Sequence, residues 1–105
     1  MVAGEMDLER AKREEIRWRI LRALDAGRPE PLNELLLLRC LTDIDLPVSP
    51  HELRRQLDYL EERELVEVRG KEGSTWSVRL TRIGVDVVEY TVNCDPGIAR
   101  PKKWA

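Results

Sequence analysis

The sequence predicts a mainly α domain with one small β-hairpin, an α+β fold, and three observations predict it. Ser49-Pro50-His51-Glu52 is a capping box ahead of Leu53, Leu57 and Leu60, which recur at i, i+4 and i+7. Leu65-Val66-Glu67-Val68 and Trp76-Ser77-Val78-Arg79-Leu80 read as strands joined by the turn Gly70-Lys71-Glu72-Gly73-Ser74. Thr81 then caps a further helix that carries Gly84.

Each element has its own local cause. Helix one, residues 7–26, stops at Gly27 ahead of Pro29 and carries the stripe Ile16, Ile20 and Leu24. Trp18 lies roughly 160° from that stripe at about 100° per residue, so it faces elsewhere. It packs under the tail or the last helix, or it meets a second copy of the chain. Helix two, residues 31–42, begins at Pro31, a residue suited to a first helical turn. Leu32, Leu35, Leu36, Leu37, Leu38, Cys40 and Leu41 ring almost its whole circumference, which implies burial on most sides and is most easily met by homodimerisation.

Ile44-Asp45-Leu46-Pro47-Val48 is the turn into helix three, with room for one short strand; Pro47 bars helix continuation and Val48 staples against Leu53. Helix three spans residues 50–64. In its capping box the Ser49 hydroxyl accepts from the Glu52 amide and the Glu52 carboxylate accepts from the Ser49 amide. The hairpin spans residues 65–80, with Trp76, Val78 and Leu80 on its core face, and the last helix spans residues 81–90. Residues 93–105 read as an extended C-terminal arm stiffened by Pro96 and Pro101, so that the folded domain is residues 1–92.

The run "LDYLEERELVEVRG…TWSVRLTRIG" resembles the pattern of winged-helix regulators of the ArsR, MarR and PadR kind. In those, a recognition helix leads into L-x-x-x-x-L-V and the second wing strand ends in L-T-x-x-G. The resemblance covers roughly Leu32 to Tyr90 and implies a winged helix-turn-helix with helix three as recognition helix and the hairpin as wing. The whole chain, with its ending Pro96-Gly97-Ile98-Ala99-Arg100-Pro101, is also similar to a family of small proteins of Mu-like prophages. That second resemblance implies a phage-encoded protein of the bacterial cytoplasm.

Composition bounds the chemistry. A chain of 105 residues suits one domain with a modest core. No run of 18 apolar residues exists, so no membrane segment is expected, and Met1 to Arg13 lack a signal-peptide core, which makes the cytoplasm the expected compartment. Cys40 and Cys94 have no metal-site spacing, and Cys40 reads as a buried thiol acting as a small hydrophobe. His51 is the one histidine and has no nucleophile beside it in sequence, and Gly70 and Gly73 bracket a hairpin turn rather than a phosphate loop. Neither an enzyme nor a metal sensor is expected, and no cofactor.

A DNA reader of this kind meets base edges with the N-terminal residues of helix three. Arg54 and Arg55 are its candidates for guanine, His51 and Tyr59 for phosphate, and Arg69 and Lys71 on the wing for phosphate or minor groove. Charge opposes this: the net charge is −2, and Ser49 to Thr75 hold five cations against seven carboxylates. The expected function is therefore a homodimeric winged-helix protein binding double-stranded DNA as a transcriptional regulator. The alternative is a protein-interaction module of a phage or prophage system that binds no DNA. A third reading is single-stranded nucleic-acid binding through Arg100, Lys102, Lys103 and Trp104.

Overall fold

The computed structural model describes residues 7–103, and the expectation for Trp104 lies outside them. Four helices and a three-stranded antiparallel sheet make an α+β domain. Helix α1 (Leu8–Gly27) is central, its start fixed by the Asp7 carboxylate accepting from the Arg10 amide at 3.0 Å. Ile16, Ile20, Leu21 and Leu24 face the inner core with Leu37 and Leu41, Leu53, Leu57 and Leu60, and Val78. Trp18, on the other side of α1, is only 4% exposed because Tyr90 meets it edge-on at 6.3 Å. Of the alternatives open to this indole, the end of the last helix is the one realised within the chain.

The third strand lies where the sequence reading has helix. Strand β1 (Leu32–Asn33) precedes helix α2 (Glu34–Asp43), so α2 starts three residues after Pro31. The cause is local: Asn33 is extended and its side-chain carbonyl caps the Leu36 amide at 2.8 Å, while Leu32 pairs with Val78. Only Glu34, Leu37 and Leu41 of α2 are buried; Leu35 and Leu36 remain 63% and 45% exposed. The turn after α2 holds no strand and passes through Asp45 in the left-handed region.

Helix α3 (Pro50–Glu62) begins at Ser49, whose hydroxyl accepts from the Glu52 amide at 3.0 Å. The other half of the capping box does not form, because the Glu52 carboxylate accepts from the Gln56 side chain instead. The helix ends two residues earlier than its sequence suggests. Glu64 turns left-handed at φ 63°, and the Leu65 amide closes on the Leu60 carbonyl at 3.0 Å.

Strands β2 (Val66–Arg69) and β3 (Ser77–Leu80) form the hairpin, and the sheet order is β1-β3-β2 with Val68 opposite Val78. Gly70 permits the turn: its φ is 83°, and a Cβ there would lie 2.8 Å from the Thr75 carbonyl oxygen. Helix α4 (Arg82–Val88) starts at Thr81, whose hydroxyl accepts from the Gly84 amide, and stops before Tyr90, which is left-handed at φ 64°. No helix among the described residues is long and apolar enough to cross a membrane.

Within the segment expected as an extended C-terminal arm, residues 97–101 are part of the packing. Ile98 is buried, the Ala99 amide donates to the Glu14 carbonyl at 3.1 Å, and the Tyr90 hydroxyl donates to the Pro101 carbonyl at 2.7 Å. Arg100 donates to the Val87 and Val92 carbonyls at 2.9 and 3.0 Å and lies over the Tyr90 ring. Those bonds tie the end of α4 and the segment after it to Arg100.

The glycine of L-T-x-x-G has a packing reason. A Cβ on Gly84 would collide with the Leu65 carbonyl oxygen, which is backbone and cannot swing aside. Gly84→Ala is expected to lower stability by about 2 kcal/mol despite its better helix propensity, read as a lower urea midpoint with unchanged slope.

Candidate nucleic-acid interface

The face in question is built by α3 and by the β2–β3 hairpin beside it. Burying Leu53, Leu57 and Leu60 turns His51, Arg55 and Glu62 outward, and the hairpin turn brings Lys71 to Asp58 and Glu61 of α3. The six sequence candidates then separate by what each already holds.

Arg54 is committed internally. Its Nε and Nη2 donate to the two oxygens of Glu34 at 2.8 and 2.7 Å, and Nη2 also reaches the Ser74 carbonyl at 3.2 Å. The Glu34 side chain is 5% exposed, and the same carboxylate accepts from the Trp76 amide at 2.7 Å. Above this, the Arg54 guanidinium lies 4.7 Å from the Trp76 ring centroid. The bidentate hydrogen bond from Arg54 holds the Glu34 carboxyl below its ordinary range, burial opposes it, and the Trp76 amide adds to the lowering. One carboxylate thereby ties α2, α3 and the approach to β3 together.

Lys71 is committed too. Its Nζ donates to Glu61 at 2.7 Å and Asp58 at 2.9 Å, and lies 4.9 Å from the Trp76 ring centroid. Those hydrogen bonds, the one to Glu61 first, raise its pKa. The other oxygen of Glu61 accepts from the Val68 amide at 3.0 Å, so this carboxylate also fastens the hairpin to α3.

Tyr59 lies under the C-terminal residues and does not stand out as a phosphate ligand. The guanidinium carbons of Arg17 and Arg63 each lie 3.5 Å from its ring centroid, and a Cβ on Gly97 would strike its hydroxyl. Arg17 also donates to Gln56 at 2.7 Å and to the Gly97 carbonyl at 2.9 Å, and its burial lowers its pKa. Gly97 is thus required by contact rather than by dihedral angle.

His51, Arg55 and Arg69 are the exposed members. Arg55 lies 3.6 Å from a Glu52 oxygen and Arg69 lies 3.1 Å from a Glu67 oxygen, pairs that water screens. Among the described residues no group of three or more His, Cys, Asp or Glu is placed to hold a metal ion. Sequence reasoning missed the roles of Glu34 and Arg17. Glu34 is the one acid in the stretch Leu32 to Leu41, which is the signal of a carboxylate that must be paired, but its partner lies 20 residues away. Compared with family models, with curated proteins and with solved structures, the chain matches none.

Because Glu34 is held below its ordinary pKa in the folded chain, its contribution to stability is present at neutral pH. It is lost as pH falls below about 4.5 and through the depressed folded value. Glu34→Gln is expected to lower stability at pH 7 and to flatten the fall between about pH 5 and pH 3, measured by urea unfolding across that range.

Proposed function

We propose that this chain is a winged-helix DNA-binding domain that acts as a homodimer in transcriptional regulation in the cytoplasm. The observation that carries the reading is the placement of α3. Its capped first turn projects His51 and Arg55 into solvent, with the β2–β3 hairpin alongside. The order of helix, strand, tight turn, strand and helix from α3 to α4 is the order that the regulator resemblance implies. On this reading Arg55 and His51 face the major groove and Arg69 the flanking backbone, while Arg54 and Lys71 hold the frame on which they stand. Tyr59 is outside the contact set.

The homodimer rests on α2. Leu35 and Leu36 stand outward, two adjacent large apolar side chains that the chain itself leaves in water. Leu35→Ser with Leu36→Ser is expected to shift a dimer to monomer in sedimentation velocity at about 50 μM with no loss of helical signal. A wild-type protein that sediments as a monomer there removes this part of the reading.

One observation favours the alternative of a protein-docking module in a prophage programme. Each of the five cations between Ser49 and Thr75 lies within 4 Å of a carboxylate, through the pairs of Arg54, Arg55, Arg63, Arg69 and Lys71. A duplex has to displace or tolerate those carboxylates; an interacting protein with mixed charge does not.

Fluorescence anisotropy of a labelled random duplex across a salt series separates the two. DNA binding predicts an affinity that falls steeply with salt and drops several-fold with Arg55→Ala, since one guanine contact is worth about 1–3 kcal/mol on the right sequence and a phosphate contact less. Absence of binding at low salt sinks the DNA reading and leaves the docking module.

A further inference from the structure

The five cations of α3 and the hairpin all have carboxylate partners, so the attraction for a duplex needs another source beside them. Helix α1 supplies one. Lys12 and Arg13 form one wall of a half-open cleft of about 260 Å³, and Glu52 and Arg55 of α3 stand across it. Three cations there oppose two carboxylates, Glu9 and Glu52, in a chain whose net charge is −2. Among the described residues neither Lys12 nor Arg13 forms an ion pair. The neighbouring acids are directed elsewhere, Glu14 to Arg10 at 3.2 Å and Glu15 to Arg19 at 2.7 Å. Glu52 is likewise drawn back along α3, where it accepts from Gln56 and lies 3.6 Å from Arg55. Glu9 is the one opposing acid with no such partner.

We infer that this cleft seats a backbone phosphodiester of the duplex, with Lys12 and Arg13 as its contacts. The inference rests on the DNA reading above and extends it to a helix that the reading does not use. The chemistry is that of a compact singly charged anion. Two unpaired cations, with Arg55 opposite them, meet it from both sides. The buried Ile16, with Pro47 and Val48, also lines the cleft, and ionised donors make the stronger hydrogen bonds to such an anion. The first turn of α3, a helix of 13 residues, points its positive end toward the same region. α1 and α3 then grip one strand together, and Arg55 stands between the backbone and the groove.

The test is the slope of log affinity against log salt for a labelled random duplex of about 20 base pairs, compared between the wild type and three variants. Each phosphate neutralised contributes about 0.9 to that slope. Lys12→Ala with Arg13→Ala is expected to reduce the slope by about 1 and weaken binding equally on all sequences. Lys12→Arg with Arg13→Lys is expected to keep it. Arg22→Ala, an exposed cation of α1 about 14 Å further along the helix, is expected to leave it unchanged. A wild-type slope that persists in the Lys12/Arg13 double alanine variant overturns the phosphate seat and leaves DNA binding standing. An equal loss in Arg22→Ala also overturns it, since the effect is then one of overall charge. A wild type without salt-dependent binding overturns the seat and the DNA reading together.

Discussion

A carboxylate taken out of water has to be met by hydrogen-bond donors, and Glu34 is the place where that requirement organises this protein. Its oxygens accept two bonds from Arg54 and one from the Trp76 amide. The three donors come from α3 and from the residue just before β3, while Glu34 itself opens α2. Any change in the angle between these elements breaks at least one of the bonds. An arginine laid against a buried carboxylate and an indole ring has its donors already engaged within the fold.

A second constraint acts at the opposite side of α3. Tyr59 lies between two guanidinium groups, and the backbone at Gly97 closes over its hydroxyl. Arg17 bridges α1, α3 and the C-terminal segment through Gln56 and the Gly97 carbonyl. Together with Arg100 on the Val87 and Val92 carbonyls, this turns residues 97–101 into a strap across the helices. The Cys94 thiol shares that environment, and burial pushes its pKa up.

How much of this was legible in the chain follows from the range of each interaction. Ser49, Thr81 and Gly70 act on residues within a few positions of themselves, so caps, hairpin and helix order could be read directly. The strand at Leu32–Asn33 could not, because two residues carry no periodicity and their pairing depends on Val78, far along the chain. For the candidate face, adjacent arginines at 54 and 55 look alike in sequence, and only the buried Glu34 separates a frame residue from an exposed one. By its position on the helix Tyr59 falls on the outer face, yet the segment that covers it comes from beyond Asn93. The leucines of α2 show the reverse: their pattern promised more burial than one chain provides.

The sheet order leaves β2 on an outer edge, where unpaired amides would invite a foreign strand. Here the Glu61 carboxylate occupies the outward Val68 amide from the side of α3, and Lys71 holds that carboxylate in place. The opposite edge, β1, is two residues long and too short to template an extension. One border is thus blunted by a carboxylate on its amide and the other by its length. A foreign strand would have to displace the Glu61 carboxylate at one border or pair along only two residues at the other, which disfavours edge-to-edge addition.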